Sequence, residues 1–434
     1  MEKLLQIAME SVDQAEVYFF HRDGDSIKIA DGNITEAKSS ISSGYTLRVI
    51  KNGKIGLANT CNLLDREEFV KNAINSAKSG LKVEFNFPKT GKATDLKTFD
   101  PNIKLINKNE LIKKVKEVIS YIKSKSEAQV NINIGISTSK RRIINSAGTD
   151  LKDQKSWFSI YLHLPFPRTY TGISDYLVIN KTDLVLDKSK IDAMLDFYDL
   201  HKQEIKVSTG KKKIIFMPKA VHSFVKRFHF AISPITIVNK TSPLLDKLGK
   251  KIFSDKLTIS DNALDDSNLI ARTFDGEGVA CQNTAFVEKG VLKNIPTDLN
   301  YAAKLKHKTT GHGSRNEKEG SVYAGASFYT IAPGDKSLQV MISDIDEGIF
   351  VYSLMDAYMA GNYLAGDYSM PVEAAFYIKN GKLIGRVKEC MLTGNIYDTL
   401  GKIAAIENKN HLSDVGNFPA ISFEEINVSG EHKK

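Results

Sequence analysis

A chain of 434 residues, 42% hydrophobic and 26% charged, is long enough for two domains and too apolar to remain unfolded. Its 3 cysteines, Cys61, Cys281 and Cys390, are too few for a disulfide framework and too scattered for a CxxC zinc site. The net charge of +9 is mostly lysine, with ten arginines among 60 basic residues, which points to a solvated surface rather than a nucleic-acid groove.

No run approaches the ~18–20 apolar residues of a membrane span. Leu4, Leu5, Ala8 and Val12 share one helical face, so the first residues predict an amphipathic surface helix and not a signal peptide. A cytoplasmic chain is expected. Strands are predicted over 15–20 and 26–30 around a turn at Asp23-Gly24-Asp25, and over 45–50 and 55–60 around Asn52-Gly53. Asn-Gly between strand-like runs signals a type I′ hairpin, because both central residues must take positive φ. Helices are predicted over 65–78 and 109–124, with a polar loop over 84–101 between them.

Residues 129–136 alternate apolar and polar, as a half-buried antiparallel strand does. A turn near 141–145, a strand over 156–164 and a helix over 189–203 follow. The run 206–213, Val-Ser-Thr-Gly flanked by lysines, reads as a linker. The expectation is therefore an α+β chain: residues 1–212 a mixed α/β domain with antiparallel strands, and residues 213–434 a β-rich domain. Within the second, 214–217 enters a strand, Pro218 opens a helix to residue 230, and Ser242-Pro243 reads as another helix start. Turns are predicted at Lys289-Gly290, Pro333-Gly334 and Asn380-Gly381. Residues 376–387 (FYIKNGKLIGRV) echo residues 47–59 (LRVIKNGKIGLAN), either as a duplicated hairpin or because any I′ turn draws the same residues.

The nine histidines contain no pair three or four apart and no HExxH. His222 and His229 share the predicted helix, but seven residues of rise is about 10 Å, too far for one zinc ion. There is no G-x-S-x-G elbow, P-loop or G-x-G-x-x-G. Cys281 and Cys390 sit in apolar strand-like contexts and read as small buried hydrophobes. In Arg272-Thr273-Phe274-Asp275-Gly276-Glu277-Gly278 the acids either face a peptide or belong to a turn that Asp275 caps. Residues 309–316 form a glycine-flexed polar loop, where function often concentrates.

Taken in order, several segments resemble the TldD/PmbA family, and within it the PmbA (TldE) branch. They are 43–56 (SGYTLRVIKNGKIG), Asn145-Ser146-Ala147-Gly148, 242–249 (SPLLDKLG), 257–262 (LTISDN), 274–278 (FDGEG), 310–315 (TGHGSR), 366–369 (GDYS) and Gly394-Asn395. The resemblance implies a subunit of a cytoplasmic proteolytic assembly acting on unfolded or leader peptides. TldD-type chains of that family carry a helical HExxxH that binds zinc together with a downstream cysteine; PmbA-type chains pair with them and lack the motif. The family's other name, modulator of DNA gyrase, does not imply DNA binding.

Here the helix after Met217 carries His222 with no second histidine at the required turn. No catalytic residue, metal ligand or cofactor is therefore expected in this chain. The resemblance places zinc in a TldD-type homologue expected to join this chain as a hetero-oligomer, with a homodimer as the alternative for the chain alone. Arg272, Asp275, Glu277, His312 and Arg315 are expected to face the peptide chamber. Specific nucleic acid and membrane are not expected partners. Two alternatives remain open from the residues alone: a peptidase in its own right, with His307 and His312 converging on a metal, and a basic nucleic-acid-associated protein.

Overall fold

The computed structural model describes residues 1–182, 187–268, 270–326, 328–355 and 361–431. Strand β1, Gln14–Ala30, runs 17 residues without a break. Strands β2 (Asn33–Lys51) and β4 (Asn131–Asn145) pair along both of its edges. The turn expected at Asp23-Gly24-Asp25 does not form, because both neighbours offer ladder partners there: Gly24 lies between Ser40 and Ser137. Likewise β4 continues through 141–145, and the expected turn moves to Ser146-Ala147-Gly148. There Asn145 Oδ1 accepts the N–H groups of Ala147 and Thr149 at 3.0 and 3.1 Å, and Gly148 takes a φ of 98°. This Asx turn is what the side chain of Asn favours.

With β3 (Lys54–Thr60), β5 (Asp150–Pro165) and β6 (Gly172–Asn180), these strands form an antiparallel sheet in the order β3-β2-β1-β4-β5-β6. Asn52 and Gly53 have φ of 51° and 70°, as the hairpin signal requires. Asn380 and Gly381, at 49° and 70°, make the same turn between strands Asp367–Lys379 and Lys382–Val387 in a different sheet.

Helices α1 (Glu2–Met9) and α2 (Arg66–Lys78) cover one end of the sheet, burying Leu4, Ala8, Phe69 and Ala73 with Val17, Leu47 and Ile144. Gly56 permits this approach, since a Cβ there would lie 2.2 Å from the Ala73 carbonyl oxygen. Helix α3 (Lys108–Lys125) buries Leu111, Val115, Val118, Ile119 and Ile122 with Ile132, Ile134, Ile160 and Leu162. Helix α4 (Lys188–Asp199) adds Ile191, Met194 and Leu195 to that core.

The linker expected over 206–213 is replaced at its end by a strand, Gly210–Phe216. Its lysines point out to Glu425, Glu347 and Glu424, whereas Ile214, Ile215 and Phe216 are fully buried. It runs parallel to Glu347–Leu354 and antiparallel to Ile421–Ser429. Met391–Asn395 and Asp367–Lys379 extend the path, and pairing of Asp367–Lys379 with Glu347–Leu354 closes these five strands into a ring. Residue 212 thus stands inside a strand, and Ile215 joins a core shared with Ile132, Ile160 and Leu162 of the N-terminal sheet.

Helix α5, Pro218–Ala231, follows with proline in its first turn. The helix start expected at Ser242 is a turn instead: Leu245 N–H bonds the Ser242 carbonyl at 3.2 Å, and Asp246 at φ 60° ends the run. Among the described residues no helix is long and apolar enough to cross a membrane.

A shared core predicts shared unfolding. Ile215→Ala should cost about 2–5 kcal/mol and lower the urea midpoint of Trp157, the single tryptophan, which stands in β5 of the other half. A Trp157 transition left at its wild-type midpoint while the far-UV signal shifts would show the halves to be independent.

Candidate functional site

On one face of the sheet β1 and β2 place Glu16 opposite Arg48, both nearly inaccessible to solvent. Arg48 grips Glu16 with two bonds, Nε to Oε1 at 3.0 Å and Nη2 to Oε2 at 3.2 Å. Its Nη1 donates to Glu277 Oε1 at 2.9 Å, 229 residues away. Arg315 Nη2 completes the group on Glu16 Oε1. Two carboxylates and two guanidiniums therefore neutralise each other in the seam between the halves. Burial works against the charge of Arg48, but Glu16 and Glu277 hold its pKa above the ordinary value. Charge-assisted bidentate pairs of this kind are the strong hydrogen bonds of protein interiors.

The turn that carries Glu277 is built by Asp275, as one of the two readings of that segment expected. Asp275 Oδ1 accepts the N–H groups of Glu277 and Val279 at 2.8 and 3.0 Å, and Oδ2 accepts that of Gly313 at 2.9 Å. So 274–278 and 310–315 are stitched together. Gly276 and Gly313 allow the contact: a Cβ at Gly276 would stand 2.7 Å from the Gly313 carbonyl oxygen. Burial first, and the neighbouring Glu277 second, push the Asp275 carboxyl up to about 7.

Of the five residues expected to face a chamber, Arg272, Asp275, His312 and Arg315 line one cavity of about 300 Å³; Glu277 points away from it into the ion network. The cavity lies against Tyr18, Arg141, Asp153 and Lys155 of the sheet. Arg272 Nη2 meets Asp261 Oδ2 at 2.7 Å, and Arg141 clamps Asp153 at 2.8 and 2.6 Å. His307 is exposed whereas His312 is buried, with Nδ1 2.9 Å from the Thr310 hydroxyl. They do not converge. Cys281 and Cys390 are buried, and burial lifts both thiols to about 11.

Sequence reasoning missed a larger groove of about 560 Å³ between the sheet and the first turn of α5. Tyr161, Tyr176, Tyr352, Met217, Lys219 and His222 are among its walls. Lys219 Nζ reaches the Tyr161 hydroxyl at 3.2 Å and Ser174 Oγ at 2.6 Å, spanning the gap. β5 and β6 pair Tyr161 with Tyr176, and Tyr352 comes from the strand Glu347–Leu354, but nothing in the sequence aligned these rings with α5.

The groove's donors do not fit a zinc site. Placing His222 at the first position of an HExxxH puts Ser223 at the glutamate and Arg227 at the second histidine. Arg227 is fully buried and donates to the Ser223 carbonyl at 3.1 Å. His411, also in the groove, is held by Glu407 at 2.9 Å. Among the described residues no group of three or more His, Cys, Asp or Glu is placed to hold a metal ion.

Two halves sharing a core, with a groove of about 560 Å³ along the seam, make an α+β protein. Residues 209–430 match the PmbA/TldA metallopeptidase C-terminal domain, and residues 15–77 match PmbA/TldA metallopeptidase domain 1. The chain belongs to the PmbA/TldD metallopeptidase family. It is 26% identical over 437 residues to metalloprotease MJ0996 of Methanocaldococcus jannaschii, covering 95% of this chain and 93% of that one. An uncharacterized protein of the same organism, MJ0231, is 26% identical over 401 residues, 92% of each. The crystal structure of TldE from Thermococcus kodakarensis shares the fold, with a TM-score of 0.91 at 24% identity over 99% of this chain and 100% of that one.

Lys155 supplies a pH prediction. Burial, with Arg141 second, lowers it from 10.5 to about 7. Between those values the unfolded chain holds a proton that the folded chain does not, so this group makes stability rise with pH, by at most about 1.4 kcal/mol per unit. Urea denaturation at about pH 6 and about pH 9 should show this rise, and Lys155→Met should reduce it. An unchanged difference between the two pH values in the variant would contradict the assignment.

Proposed function

We propose that this chain is a TldE-type, zinc-free and non-catalytic subunit of a cytoplasmic peptidase, in which a TldD-type partner carries the metal and the hydrolytic step. The observation that carries the reading is the composition of α5. Its first turns face the groove with His222, and the position five residues on is Arg227, a buried cation tied to its own helix. Arginine stays protonated and offers no lone pair to a metal.

The groove suits a wall of a chamber for extended peptide. Aromatic rings from β5, β6 and the strand Glu347–Leu354 offer broad apolar contact at low entropic cost. Such a wall gives selectivity without chemistry, because a folded protein cannot enter an enclosed groove whereas an extended chain can. The family's metallopeptidase description and the fold shared with TldE support the link to a peptidase assembly.

The test is reconstitution. Alone, the purified chain should hold well below one zinc per molecule by elemental analysis and should not cleave an unfolded peptide. Mixed with an HExxxH-bearing homologue from the same cell, it should co-elute with it, and peptidase activity should appear and be lost to a chelator. Stoichiometric zinc with chelator-sensitive hydrolysis by the chain alone would overturn the proposal.

A further inference from the structure

The cavity of about 300 Å³ in the seam has a charge imbalance that the ion network does not consume. Each guanidinium on its wall meets a carboxylate: Arg22 has Glu317, Arg141 has Asp153, Arg272 has Asp261, and Arg315 shares Glu16 with Arg48. Asp275 also lines the cavity, but both of its oxygens are occupied by backbone N–H groups. Two lysines are left over, Lys140, which is exposed to water, and Lys155, which is not. The Nζ of Lys155 forms no ion pair among the described residues: the neighbouring Asp153 attracts it but is clamped by Arg141, and Arg141 and Arg272 add positive field around it.

A second donor is similarly unspent. His312 is buried, and its Nε2 has no hydrogen-bond partner. Its nearest carboxylate oxygen is Asp261 Oδ2 at 3.3 Å, a long contact to an atom that Arg272 Nη2 already holds at 2.7 Å. Buried polar atoms without partners are rare in folded proteins and ask for an explanation. A lysine held in a low-dielectric pocket with no anion gives up its proton readily, which is why burial brings Lys155 down to about 7, and an anion beside it would keep it charged. Both are answered by one anionic ligand.

We propose that this cavity binds an oxyanion, the carboxylate of an amino acid or of a peptide's C-terminus, with Lys155 Nζ and His312 Nε2 as its first contacts. The volume is far beyond the ~30 Å³ of one water and lies at the lower end of small-ligand pockets. Tyr18 and the half-exposed Tyr323 add aromatic wall beside the charged end, fitting an organic carboxylate better than a bare inorganic ion. The site is lined by different residues from the groove at α5, so the inference stands whether or not the chain is a peptidase subunit.

The experiment is calorimetric titration of the full chain with N-acetylated amino acids of small and large side chain, with the matching amides, and with inorganic phosphate. Saturable binding of a carboxylate, at least tenfold tighter than its amide and tighter than phosphate, is expected. Lys155→Met should weaken that binding at least tenfold. Lys155→Arg, which restores a cation, should recover most of it, and Tyr323→Ala at the mouth should weaken it without touching the charged end. Phosphate binding as tightly as the carboxylate would overturn the assignment to a carboxylate. Amide and acid binding alike, no saturable binding of either, or full affinity in Lys155→Met would overturn the site itself. Carboxylate-induced thermal stabilisation in wild type but not in Lys155→Met gives a second readout should the variant prove too unstable for calorimetry.

Discussion

The arrangement depends on a closed electrostatic group, Glu16, Arg48, Glu277 and Arg315, buried where the N-terminal sheet meets the loops of the C-terminal half. Each charge is costly out of water, and removing one member strands another. The four together are neutral and hydrogen-bonded, and they tolerate few relative placements of the two halves. The group therefore acts as a register pin: β1 and β2 present Glu16 and Arg48 at opposed positions, and the Asp275 turn must deliver Glu277 to within 2.9 Å. Apolar packing supplies the bulk of the cohesion, through cores in which Ile215 and Phe350 mingle with Ile132 and Ile160.

With the halves held this way, the seam cannot pack completely. It leaves the groove beside α5 on one side and the cationic cavity beside Arg141 and Lys155 on another. The groove has aromatic walls and an incomplete metal donor set; the cavity has unspent hydrogen-bond donors. One chain thereby presents two chemically different hollows, for which we have proposed an extended peptide and a carboxylate as occupants.

Much of this was legible from local pattern. The helical stripes of α2, α3 and α5, the period-2 alternation of β4 and the Asn-Gly turns are governed by neighbours a few residues apart. Local signals failed where distant chain decides. Asp23-Gly24-Asp25 carries strong turn composition, yet ladders supplied by 39–41 and 136–138 hold it extended. The lysines at 211–213 look like a linker until Glu347, Glu424 and Glu425 arrive to pair with them. In the candidate site, 274–278 and 310–315 stood out for their glycines and charges. Their partners Glu16, Arg48 and Lys155 did not, because a strand residue bears no local mark of an ion pair 229 positions away.

The most direct measurement is a double-mutant cycle across the seam, with Arg48→Met, Glu277→Gln and their combination followed by urea denaturation. Arg48→Met should cost about 3–5 kcal/mol by leaving buried carboxylates uncompensated, and the double variant should cost less than the two single costs summed, with a coupling above about 1 kcal/mol. Additive losses within about 0.5 kcal/mol would mean that Arg48 and Glu277 merely adjoin and that something else sets the register of the two halves.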